Sequence, residues 1–114
     1  MSTKSAVNVA NGFIINTTVS SVHTIPTSVD RFQIAEALIH NSGSSIRTVD
    51  IYILQAGQSV SNATKVVTKK LGVNESFLLL QIIGMSINTS GSIQAVVDSG
   101  TDVAIFITGT EFST

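Results

Sequence analysis

Residues 48–54, Thr-Val-Asp-Ile-Tyr-Ile-Leu, alternate without a break. Val49, Ile51 and Ile53 fall on one side, and Thr48, Asp50 and Tyr52 on the other. A period of two is the signature of a strand buried on one face, and it fixes which residues must point inward. Residues 31–40, RFQIAEALIH, precede this strand across Asn41-Ser42-Gly43-Ser44-Ser45. Glycine takes positive φ freely there, and Asn and Ser can bond their own backbone, so the chain can reverse at little cost. The sequence therefore predicts an antiparallel hairpin over residues 31–55. A helix over residues 32–40 is the competing reading, since Gln33, Ala35, Glu36, Ala37 and Leu38 tolerate helix. The segment is short and is followed at hairpin distance by a clear strand, which favours β structure.

The rest of the chain is punctuated in the same way. Residues 1–12, rich in Ser, Ala and Asn, read as an N-terminal arm, either flexible or added as a strand to a neighbour, ahead of a domain over residues 13–114. Residues 13–19 and 22–25 read as short strands, the second stopped by Pro26, which has no N–H to donate. Residues 55–62 read as a loop. Residues 64–71 are β-branched yet hold Lys65, Lys69 and Lys70, three of the six Lys and Arg in the chain. Lysines on a strand protect a sheet edge, and here they also offer a basic contact to an acidic partner. Residues 76–83 are apolar on both pleat faces, as expected of a strand covered by the core on one side and by another subunit on the other. Two more strands follow at residues 92–97 and 102–108, the last with Val103, Ile105 and Ile107 on one face. About eight strands with turns roughly every ten residues predict an all-β antiparallel sandwich, jelly-roll-like or Ig-like.

Composition narrows the function. One domain fits 114 residues. With no cysteine, disulfides and cysteine zinc sites are excluded, so stability has to come from packing or association. A net charge of −1 lacks the basic stripe that nucleic-acid binding needs. Charged residues are 11% of the chain, against about a quarter in ordinary domains. Mean hydropathy is +0.41. The longest apolar run, residues 77–87, is interrupted by Gln81, Gly84 and Ser86 and is too short to cross a membrane as a helix. No apolar segment follows Lys4, so no secretory signal is read. The surplus of apolar residues points to surface covered by copies of the chain or by a partner.

Catalytic and ligand constellations are not apparent. His23 and His40 have no metal-ligand spacing and read as strand residues with polar tips at the surface. Asp98-Ser99-Gly100-Thr101-Asp102 offers oxygen ligands for calcium but reads more simply as an Asx-stabilised turn. There is no G-x-S-x-G elbow, P-loop or dinucleotide fingerprint, so neither an enzyme nor a cofactor is expected. Four Asn-x-Ser/Thr matches fall in a chain rich in those residues and carry no weight without a signal segment. Aromatics are 5%, and the single tyrosine, Tyr52, sits in mid-strand, which argues against a carbohydrate-stacking platform.

Several stretches taken together carry a resemblance: Val22-His23-Thr24-Ile25-Pro26, residues 31–41, the T-V-x-x-Y of residues 48–52, residues 65–70, Gly72-Val73-Asn74-Glu75-Ser76 before an apolar strand, Gly91-Ser92-Ile93-Gln94-Ala95, and Ile107-Thr108-Gly109-Thr110-Glu111. Their order over nearly the whole chain resembles small β-sandwich virion proteins of tailed bacteriophages. The resemblance implies a noncatalytic capsid decoration (cement) protein. It would be a homo-oligomer, most simply a trimer, bound to the major capsid protein or other virion proteins and made in the host cytoplasm. The alternative it implies is a head-to-tail or tail component, including a module that binds a carbohydrate or cell surface. The residues expected at contacts are Lys65, Lys69, Lys70, Phe77, Leu79 and Ile83, together with the N-terminal arm.

Overall fold

A computed structural model describes residues 3–114. Nine strands form: β1 (Thr3–Ile14), β2 (Ser20–Thr24), β3 (Arg31–Asn41), β4 (Arg47–Leu54), β5 (Lys65–Leu71), β6 (Ser76–Leu78), β7 (Ser86–Asn88), β8 (Ser92–Val97) and β9 (Val103–Ser113). Sheet A runs β1-β9-β3-β6, with β7 also paired to β3, and sheet B runs β2-β8-β4-β5. Every pairing is antiparallel and the pairs are nested: β1 with β9, β2 with β8, β3 with β6 and β7, β4 with β5. A long antiparallel ribbon rolled so that its two arms alternate between sheets has this order, and it is a jelly roll. The all-β sandwich expected from the turn spacing is therefore the fold.

The core lies between the sheets. Phe32, Ile34, Ala37 and Ile39 of β3 and Ile105 and Ile107 of β9 face Val49, Ile51 and Ile53 of β4 and Ile93, Ala95 and Val97 of β8. A bulge between Ile34 and Glu36 explains how the inward set passes from even to odd positions within one strand. Gly109 is obligatory in this packing. A Cβ there would strike the Phe32 ring and the backbone carbonyl of Gln33, and the carbonyl cannot move aside.

Four sequence expectations need correction. The hairpin over residues 31–55 does not form: β3 belongs to sheet A and β4 to sheet B, so the two strands face each other across the core rather than pairing edge to edge. Alternation requires only that the apolar face be covered, and the opposite sheet covers it as well as a hairpin neighbour would. The connection between them is an arch held by Asn41, which is 0% exposed. Its side-chain amide donates to the carbonyls of Ser45 (2.8 Å) and Gly72 (3.2 Å), and its Oδ1 accepts from the Gly43 N–H (2.9 Å).

Residues 76–83 are likewise not one strand. β6 stops at Leu78, and turns closed by Ile82 N–H to Leu79 O and Met85 N–H to Ile82 O (both 3.1 Å) carry the chain to β7. Leu79 and Ile82, three apart, both plug the core while Leu80 and Gln81 face water. The two-faced apolar run thus reflects a turn with a three-residue spacing, not a strand roofed on both sides. Finally, the stretch expected as an arm is, from Thr3 onward, strand β1, ten residues of which pair with β9 of the same chain. Met1 and Ser2 lie outside the described residues. Ile14 ends β1, so the strand expected over residues 13–19 gives way to a turn beginning at the buried Ile15.

Two substitutions test this packing. Asn41→Ala strips the buried arch carbonyls of their donor and should cost roughly 2–3 kcal/mol in urea unfolding, with an unchanged m-value. Gly109→Ala should cost about 1–3 kcal/mol by overpacking, whereas a surface control such as Ser59→Ala should stay within about 0.5 kcal/mol.

Candidate interaction surface

The residues expected at contacts do not gather on one surface. Leu79 is 0% exposed and belongs to the core, so it is unable to touch a partner. Ile83 is half-buried and packs against the same core. The lysines lie on β5, the edge strand of sheet B, where edge protection puts them. Two of the three are already paired within the chain. Lys65 Nζ is 3.6 Å from Asp50 Oδ2, and Lys69 Nζ is 3.4 Å from Glu75 Oε2. Lys69 also stands 4.6 Å above the Phe77 ring, joining the edge of sheet B to the edge of sheet A. Lys70 is exposed and forms no ion pair among the described residues.

The acidic turn between β8 and β9 receives a cation from the chain itself. Arg47 donates through Nε and Nη2 to the two carboxylate oxygens of Asp102 (3.0 and 3.1 Å) and through Nη1 to Ser99 Oγ (2.6 Å). Asp98 Oδ1 accepts from the Thr48 N–H at 3.1 Å. The two hydrogen bonds from Arg47 hold the Asp102 carboxyl below its usual range and push the guanidinium up. Glu75 is also held low, first by the Gly72 N–H that it accepts at 2.6 Å and then by Lys69. Among the described residues no pocket opens, and no group of three or more His, Cys, Asp or Glu residues is placed to hold a metal ion.

The histidines differ from each other. His40 is a strand residue with its tip at the surface, its Nδ1 2.7 Å from Ser76 Oγ. His23 turns inward instead. Its ring meets the Phe32 ring edge-on at 5.5 Å, and its buried Nε2 has no hydrogen-bond partner. Burial lowers the His23 pKa, offset in part by the charge of Glu111.

The surface that sequence reasoning missed is the outer face of sheet A. In the register Asn11, Phe106, Leu38 and Leu78 form one row across all four strand positions, and Ile14, Ala104, His40 and Ser76 form the next. Ile14 is 45% and Leu78 55% exposed, and Phe106 and Leu38 are half-buried. The outer face of sheet B carries Thr48, Asp50, Thr68, Lys70 and Gln94 around Tyr52 and Val96, with no comparable apolar row across it. Part of the signal was legible: if Val103, Ile105 and Ile107 point inward, Phe106 must point out. The bulge at Ala35 hid Leu38, because unbroken alternation from Phe32 would have turned every even residue inward.

No protein-family model matches this sequence, and no curated protein does. Among solved structures, a subunit of the Bacillus endospore appendages, described as a novel family of disulfide-linked pili, aligns over 99% of this chain and 90% of its own, with a TM-score of 0.54 at 13% identity. That likeness establishes a shared fold. Infectious bursal disease virus VP2, from a subviral particle, aligns over 97% of this chain but 32% of its own, with a TM-score of 0.40 at 10% identity. An acetyl xylan esterase from the rumen bacterium Butyrivibrio proteoclasticus aligns over 95% and 32%, with a TM-score of 0.40 at 12% identity. The last two are too distant to bear on this chain.

The shifted groups set the response to acid. A carboxyl whose folded pKa is depressed adds stability above its ordinary value, and that stability is lost as pH falls toward the folded value. A histidine whose folded pKa is lowered destabilises the fold as pH drops below its ordinary 6.5, because the unfolded chain then binds the extra proton. Urea midpoints should therefore begin to fall below pH 6.5 and fall further through the carboxylate range. His23→Phe should remove the first part of the decline, and Glu75→Gln with Asp102→Asn should flatten the second.

Proposed function

We propose that this chain is a noncatalytic structural subunit that works by contact with copies of itself in a virion or cell-surface assembly. The observation that carries this reading is the apolar row across the outer face of sheet A, in a chain with only 11% charged residues. An uncovered apolar sheet face is costly in water and gains stability when another surface removes it from solvent. The subunit of the Bacillus endospore appendages, which are disulfide-linked pili, supports the reading because it shares this fold over nearly the same extent. In its finer form the reading follows the resemblance to bacteriophage virion proteins: a decoration protein, trimeric at its lattice site, tying neighbouring capsid subunits together through many modest contacts. A carbohydrate-binding tail module has less in its favour, since Tyr52 is buried rather than presented at a loop end.

Light scattering during size exclusion, followed by electron microscopy of concentrated protein, tests the proposal. The expected result is a mass above the 11.9 kDa of one chain, rising with concentration, or ordered particles. A trimer that also binds expanded capsids would support decoration. A strict monomer that forms no particles and binds no capsid would overturn the proposal in both forms.

A further inference from the structure

We infer that the outer face of sheet A is a two-fold contact with a second copy of the chain, β3 running antiparallel to the partner's β3 with Leu38 on the axis. The inference deepens the structural-subunit reading and rests on it. On β3 the outward residues either side of Leu38 are Glu36 and His40, opposite Thr108 and Ala104 of β9. A half-turn about an axis lying in the face, perpendicular to the strands and through Leu38, lays the row Phe106, Leu38, Leu78 on its own copy. The same half-turn sets Glu36 against the partner's His40, and His40 against the partner's Glu36. Turning instead about an axis along the strands sets Glu36 against the partner's Glu36, two like charges in one contact. The pattern thus makes the face complementary to a second copy in the first direction and not in the second.

The side chains suit that arrangement. Glu36 is exposed and forms no ion pair among the described residues. When Ser76 donates to His40 Nδ1 the ring proton sits on Nε2, which has no hydrogen-bond partner among the described residues and is left to donate to the opposing carboxylate. The cations of the face, Lys4 and Arg31, lie in the row of Phe112 at the far end of the sheet, beyond the overlap. Arg31 is stacked there on Phe112 at 3.7 Å. With strands about 4.8 Å apart and residues about 3.4 Å apart, the overlap is on the order of 500 Å² per copy. That is smaller than the roughly 800 Å² of a standard interface, so one contact is weak and reversible and becomes strong by repetition in an array.

Sedimentation equilibrium up to millimolar concentration reads the contact directly. The wild type should show a reversible dimer, and Leu38→Glu and Phe106→Glu should each weaken it by at least about tenfold, with circular dichroism confirming the fold. Glu36→Arg alone and His40→Asp alone should each weaken it, and the double variant should recover most of the loss, because a guanidinium and a carboxylate then face each other across the axis. The chain has no cysteine. Leu38→Cys should therefore be trapped as a dimer by a short bis-maleimide, and Lys70→Cys on sheet B should not. If the wild type assembles but folded Leu38→Glu and Phe106→Glu assemble equally well, or the double variant recovers nothing, this face or this direction is wrong while the structural-subunit reading stands. A wild type that neither dimerises nor forms particles overturns both.

Discussion

The apolar faces of β3 and β9 lie against those of β4 and β8, and the rest of the molecule depends on that contact. Four strands contribute an unbroken inward set of Ile, Val, Ala and Phe, and no disulfide supplements it. The arrangement obliges the chain to cross repeatedly from one sheet to the other, and each crossing must satisfy backbone groups that no ladder serves. Asn41 does this for the arch between β3 and β4, and Asp98, accepting from the Thr48 N–H, does it beside the turn between β8 and β9, where Arg47 pairs with Asp102. The two devices abut: a side chain at Gly43 would run into Asp102. One end of the sandwich is therefore a continuous polar clasp over an oily interior.

How much of this was legible in the sequence depended on what each residue pattern could encode. Alternation in β4 and β9 gave their inward faces correctly, since Val49, Ile51, Ile53, Val103, Ile105 and Ile107 are all buried. The basic strand was read as an edge, and β5 is one. Partnership was illegible, because a half-buried strand is satisfied by any cover, and the hairpin assigned to residues 31–55 proved to be two strands facing each other. The apolar run after Ser76 misled for a related reason. Buried residues at 79 and 82 look like a continuous strand until hydrogen bonds show a turn. Asn41 resembled any turn asparagine, and only its complete burial marks it as a structural anchor.

Of the candidate contact residues, Leu79 lies in the core and the three lysines lie on the edge strand β5. The lysines of β5 are largely spent on Asp50, Glu75 and Phe77. The uncovered apolar surface instead crosses the opposite sheet, on residues drawn from β1, β3, β6 and β9. No contiguous stretch of sequence displays such a surface. It comes into being only when four distant segments are laid side by side, and a bulge in one of them resets which side chains face out.

The position of β9 between β1 and β3 has a consequence for the order of folding. Until β9 docks, β1 has no pairing partner and the middle of sheet A is missing. Phe106 belongs to β9, so the apolar row is completed by the same event that closes the sandwich, and a molecule caught short of that event shows no finished row to a neighbour.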